Sequence, residues 1–101
     1  MSRQTDKVLC ETPKPGKQGT RIDRWKYDAV RAAILESLPQ NGKGLPFEHL
    51  PDQVNAHLGE EVREKLGSIP WYTTTVKLDL EVKGEIRRLP DVTPQRLVRV
   101  I

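Results

Sequence analysis

The chain predicts an α+β domain in which helices come first and a small β-hairpin closes the C-terminus. Apolar residues recur at three- and four-residue spacing through the middle of the chain, the period of an amphipathic helix. The last such stretch stops at Gly84. Beyond it, a segment carrying Arg87 and Arg88 and another carrying Arg96 and Arg99 flank a turn built from Pro90, Asp91 and Pro94. With 101 residues, 36% hydrophobic and 31% charged, a single domain with one core is expected.

Residues 1–22 read as an extended N-terminal arm, because Pro13, Pro15, Gly16 and Gly19 argue against a helix. Val8, Leu9 and Ile22 are its large aliphatic anchors. The folded domain spans 23–101. Asp23 suits an N-cap, and Tyr27, Val30, Ile34 and Leu38 then share one face of a first helix that Pro39 and Gly42 end. Gly44 to Phe47 is short and contains proline, which suits an extended piece at a sheet edge. A second helix is expected from about Glu48 to Leu58, with Leu50, Val54 and Leu58 on one face and Pro51 in its first turn. Gly59 interrupts the pattern, and the acidic stretch 60–64 adds a further helical turn or two. Gly67, Ser68 and Pro70 form a connection.

The third helix is expected over Trp71 to Lys83. Tyr72, Val76 and Leu80 fall on one side, with Trp71, Leu78 and Val82 nearly opposite. The alternation Val76, Leu78, Leu80, Val82 also suits a strand; the length and the Lys83-Gly84 stop favour the helix. The second apolar stripe is expected to pack under the hairpin or under the arm, with Val8, Leu9 or Ile22 as its lid. Left uncovered, it is an exposed patch of the kind that marks an interface.

Helix, short extended piece, helix, helix, strand, turn, strand is the order of a winged helix-turn-helix. The segment TTVKLDLEVKGEIRR resembles the recognition-helix-to-wing junction of that superfamily. More closely, ETPKPGKQGTRIDRWKYDAVRAAIL with PWYTTTVKLDLEVKGEIRRL and PQRLVRV is similar to a small bacterial winged-helix-like family of unknown function, over Glu11 to Val100. The resemblance implies three helices plus a C-terminal β-hairpin wing, with room for a short third strand. It implies no activity and no binding residues. The sequence departs from the simplest pattern between Leu58 and Trp71, where about 12 residues replace a usual turn of roughly 3–4.

No apolar run approaches the roughly 20 residues of a membrane helix, so no membrane partner is expected. Cys10 is the only cysteine and forms no internal disulfide, which points to a reducing, cytoplasmic location. Without a nearby His or Asn/Asp it reads as a small residue at the edge of the fold rather than a reactive thiol. His49 and His57 stand eight residues apart with no cysteine companion, which is not metal spacing. Glu60, Glu61 and Glu64 lie in a charged run without a nucleophile. GKQGT and NGKG lack the phosphate-loop pattern, and Thr73-Thr74-Thr75 has no base beside it. No enzyme, cofactor, metal or small-molecule substrate is expected.

Charge is unevenly placed. Residues 1–26 carry seven Lys/Arg against three acids, residues 27–84 six against nine, and residues 85–101 four against two. Basic ends suit a polyanion; they also suit a plainly solvated surface. The favoured reading is a DNA-binding module, one possible role being transcriptional regulation. Thr74 and Lys77 of the third helix would approach double-stranded DNA, with Arg87, Arg88, Arg96 and Arg99 of the wing and Lys14, Lys17 and Arg21 of the arm on phosphates. Thr74, Lys77 and Glu81 make a thin base-reading set. The alternative is a protein-interaction or dimerisation module without DNA binding, using Trp71, Leu78 and Val82 toward a second copy or another protein.

Overall fold

The structure, a computed structural model, describes residues 6–14, 16 and 18–101. The chain opens with two antiparallel strands, β1 (Lys7–Cys10) and β2 (Thr20–Asp23), in register Val8 with Ile22 and Leu9 with Arg21. The stretch read as an arm thus pairs with itself. Cys10 and Ile22 turn inward and join the main core, while Leu9 and Arg21 face out. Asp23 occupies the N-cap position of α1 (Arg24–Ser37), but its carboxylate pairs with Lys7 and caps no helical N–H. The Asp23 side chain therefore fastens the two strands, a correction to the capping expectation.

Helix α1 buries Tyr27, Val30, Ala33 and Ile34, as their spacing requires, and Leu38 N–H closes its last turn on Ile34 O at 3.1 Å. After Pro39 the chain crosses a loop to β3 (Leu45–Pro46) and a single 3₁₀ turn, Phe47–His49. Helix α2 (Leu50–His57) buries Leu50 and Val54. The acidic stretch becomes a helix of its own, α3 (Glu60–Leu66), which drops Leu66 into the core and ends at Gly67. The long connection after α2 is thus a helix bounded by two glycines.

Helix α4 (Ile69–Val82) starts two residues before the expected Trp71. The Ser68 hydroxyl accepts the Trp71 N–H at 3.2 Å, and Pro70 sits in the first turn, where no helical hydrogen bond is lost. Its end is a Schellman turn: Glu85 N–H bonds Leu80 O at 3.0 Å and Gly84 N–H bonds Glu81 O at 3.2 Å, with Gly84 at φ +76°. The segment is a helix, and its strand-like alternation is incidental.

Strands β4 (Ile86–Arg88) and β5 (Arg96–Arg99) form the C-terminal hairpin, and β3 pairs with β5, giving the order β3–β5–β4. Ile86 and Leu97 cover the helices from the sheet, and Val30, Ile34, Leu50, Val54, Val76 and Leu80 fill the space between α1, α2 and α4. No helix among the described residues is long and apolar enough to cross a membrane.

Candidate functional site

Helix α4 is central, yet one side of it faces out. Val76, Leu80, Thr73, Lys77 and Asp79 are buried; Trp71, Thr74 and Val82 are exposed, with Thr75 and Leu78 between. The exposed positions fall within one arc of the helix. Trp71 is 47% and Val82 43% exposed, so the second apolar stripe is uncovered at both ends. The expectation that it packs beneath a lid fails there, because the N-terminal strands reach only its middle. At that middle, the β1–β2 loop on one side and Arg88 on the other leave a cleft of about 380 Å³ whose floor includes Leu78 and Thr75. Lys14, Thr12, Gln18 and Thr20 form the loop wall.

The wall is pinned by Asp79, which is 1% exposed. Its carboxylate accepts Tyr27 Oη–H at 2.7 Å, the Glu11 N–H at 2.9 Å and the Lys83 ammonium at 2.8 Å. One side chain thus joins α1, the N-terminal strands and its own helix. Burial alone would raise the Asp79 carboxyl, but the hydrogen bonds from Lys83, Tyr27 and Glu11 outweigh it and hold the group below its ordinary range. Burial, reinforced by the hydrogen bond to Asp79, pushes the Tyr27 hydroxyl up to about 12. Burial, then the nearby Asp79 charge, pushes the Cys10 thiol up to about 11, so it stands as a neutral, apolar wall of the cleft.

A second charged group lies on the wing side. Lys77, 2% exposed, pairs with Glu81 Oε2 at 2.8 Å and lies 4.7 Å from the centre of the Phe47 ring. Burial lowers the Lys77 ammonium, against the pull of Glu81. Arg88 Nε donates to Glu81 Oε1 at 2.8 Å. The helical period led to the expectation that Lys77 faces outward for base reading; it is instead spent inside the junction between α4 and the C-terminal hairpin.

The remaining residues of the nucleic-acid reading scatter. Thr74 is exposed and carries no charge. Arg87 is exposed on the sheet face of Val98, opposite to that of Arg88 and Leu97. Arg96 Nε donates to Lys43 O at 3.1 Å. Arg99 Nε donates to Leu38 O at 3.0 Å and its Nη1 to Ile101 O at 2.6 Å, closing the C-terminal end of α1. Lys14 and Arg21 are exposed, Lys14 in the cleft wall; Lys17 lies outside the described residues. Of the eight that are described, only Lys14 and Arg88 line the same cleft.

Sequence reading missed an aromatic group at the N-terminal end of α4. Trp71 and Tyr72 meet edge to face at 4.8 Å. Lys26 stands 5.0 Å from the Tyr72 ring centre and 5.5 Å from that of Trp25, and donates to Tyr72 Oη and Leu66 O. Trp25 is 39% exposed. The tryptophans are 46 residues apart, and no local periodicity links them.

These elements define a small α+β domain with one uncovered helical face and a polar cleft beside it. The chain belongs to a family of unknown function (DUF6958), whose model matches residues 7–97. No curated protein and no solved structure matches it.

Proposed function

We propose that this is a non-catalytic protein-interaction module on a winged-helix scaffold, and that its partner is an amphipathic segment of another protein with acidic flanks. The scaffold reading is supported by the order α1, β3, α2, α4, β4, β5 and by the pairing β3–β5–β4, with α3 and the N-terminal strands as additions. A reducing, cytoplasmic location and a bacterial source fit the single buried thiol and the resemblance already described. The observation that carries the function is the outer face of α4. It presents Trp71, Leu78 and Val82, while Lys77, the cation of the same helix, is buried off this face. Exposed tryptophan beside tyrosine is the composition of binding hot spots. Lys14 and Arg88 line the cleft at the middle of this face and would meet acidic flanks. A second copy docking the same patch about a two-fold axis would set those cations against each other.

An acidic amphipathic helical peptide titrated into the full chain, read by tryptophan fluorescence, tests this. Trp71→Ala is expected to weaken binding at least about tenfold with the fold intact. An unchanged affinity in Trp71→Ala, or no binding by the wild type, overturns the reading.

DNA binding is the second reading, supported by Lys14, Thr75 and Arg88 lining one cleft and by exposed Arg21 and Arg87. It requires binding to duplex DNA that falls steeply with salt and weakens in Arg87→Ala. Absence of binding at low salt sinks it.

A further inference from the structure

We infer that the cleft between the β1–β2 loop and α4 is a carboxylate-binding site, with the Arg88 guanidinium as its fork and Lys14 as a second cation. The cleft's volume, about 380 Å³, lies within the range of roughly 300–1,000 Å³ of small-ligand sites. Its wall carries hydroxyls from Thr12, Thr20 and Thr75 beside the two cations, and Leu78 supplies an apolar floor. Arg88 is held for the role. Its Nε is committed to Glu81 Oε1 at 2.8 Å, which fixes the plane of the guanidinium, and the side chain is 50% exposed. Its two Nη groups make no hydrogen bond among the described residues, and they form the planar pair of donors that matches a carboxylate.

Local charge selects a single negative charge. Lys77 and Arg88 share Glu81, so that group carries one net positive charge, and Arg88 is its exposed member. In the loop wall Glu11 offsets Lys14. Among the described residues this leaves one net positive charge, which matches a carboxylate better than a doubly charged phosphate.

This site does not depend on the partner reading. A carboxylate needs only the cleft, whereas a partner segment also needs the Trp71 end of α4. The carboxylate can belong to a free small molecule or to the end of a peptide. Benzoate and a short acetylated peptide with a free C-terminus distinguish these sources when each is titrated into the full isotope-labelled chain and followed by amide NMR. Inorganic phosphate and the same peptide amidated serve as controls. Saturable shifts at Thr12, Thr20, Thr75 and Arg88 with benzoate, the free-ended peptide or both support the site. Arg88→Lys keeps the charge and its pairing with Glu81 but loses the fork, and is expected to weaken binding about tenfold. Trp71→Ala is expected to leave it unchanged, which separates this site from the partner surface. No saturable shift with either carboxylate, phosphate binding more tightly than both, or equal affinity in Arg88→Lys overturns the inference.

Discussion

Asp79 shows how much one buried charge can organise. An isolated carboxylate at 1% exposure would be costly, but here three donors from three parts of the chain converge on it. Asp79→Asn keeps the shape and loses the charge, so the Lys83 ammonium and the Tyr27 hydroxyl lose their acceptor. A loss of about 2–4 kcal/mol in urea denaturation at neutral pH is expected. The pH dependence follows from the sign of the shift. The folded-state carboxyl titrates below its ordinary value of 3.8, so its contribution is complete above that value and fades as pH falls through the folded-state value. Stability curves of the wild type and Asp79→Asn should therefore converge in acid; parallel curves would remove Asp79 from this role. Gly44 is the other single residue on which the fold leans. Its φ is +71°, and an added Cβ would lie 2.6 Å from Leu97 O on β5. Gly44→Ala is expected to cost about 1–3 kcal/mol, measured by thermal unfolding.

At the scale of elements, α4 is a pillar with one outward face. The reversal of Lys77 from outward reader to buried partner follows from the C-terminal hairpin, since β4 carries Arg88 back over the helix to share Glu81. Removing one member of a buried ion pair leaves the other charge buried, here with only Arg88 beside Glu81. Lys77→Met is therefore expected to lower stability by about 1–3 kcal/mol in equilibrium unfolding and to leave partner binding unchanged in the peptide titration; a large loss of affinity would return Lys77 to the binding surface. The N-terminal strands are held to this pillar through the Glu11 N–H. Hydrogen exchange at Glu11 should be slow beside Lys14 in the wild type and should accelerate in Asp79→Ala, which removes the acceptor of the Glu11 N–H.

For the molecule as a whole, much of the architecture was legible in the amino-acid order. The 3.6-residue spacing of Tyr27, Val30 and Ile34 and of Leu50 and Val54 placed two helices and their buried faces, and Lys83-Gly84 marked the end of α4. These signals are local: each comes from sterics and hydrogen bonding within a turn or two of backbone. Solvent exposure of a helix face is not local. The period put Lys77 outside, and the apolar character of Trp71, Leu78 and Val82 called for a cover over them; neither had a term for an arginine reaching over from β4 or for a strand pair stopping short of Trp71. The four wing arginines looked alike as sequence; hydrogen bonds to Lys43 O, Leu38 O and Glu81 commit three of them to the fold. Trp25 and Trp71, and Lys14 and Arg88, are brought close only when distant segments pack. The sequence by itself thus determined the first, second and last of the long helices, their order and most of the apolar positions they bury, because those depend on neighbours a few residues away. The tertiary structure alone decided which charges are spent inside, which aromatic side chains remain uncovered, and where a cleft opens, because each of those depends on what a remote part of the chain supplies.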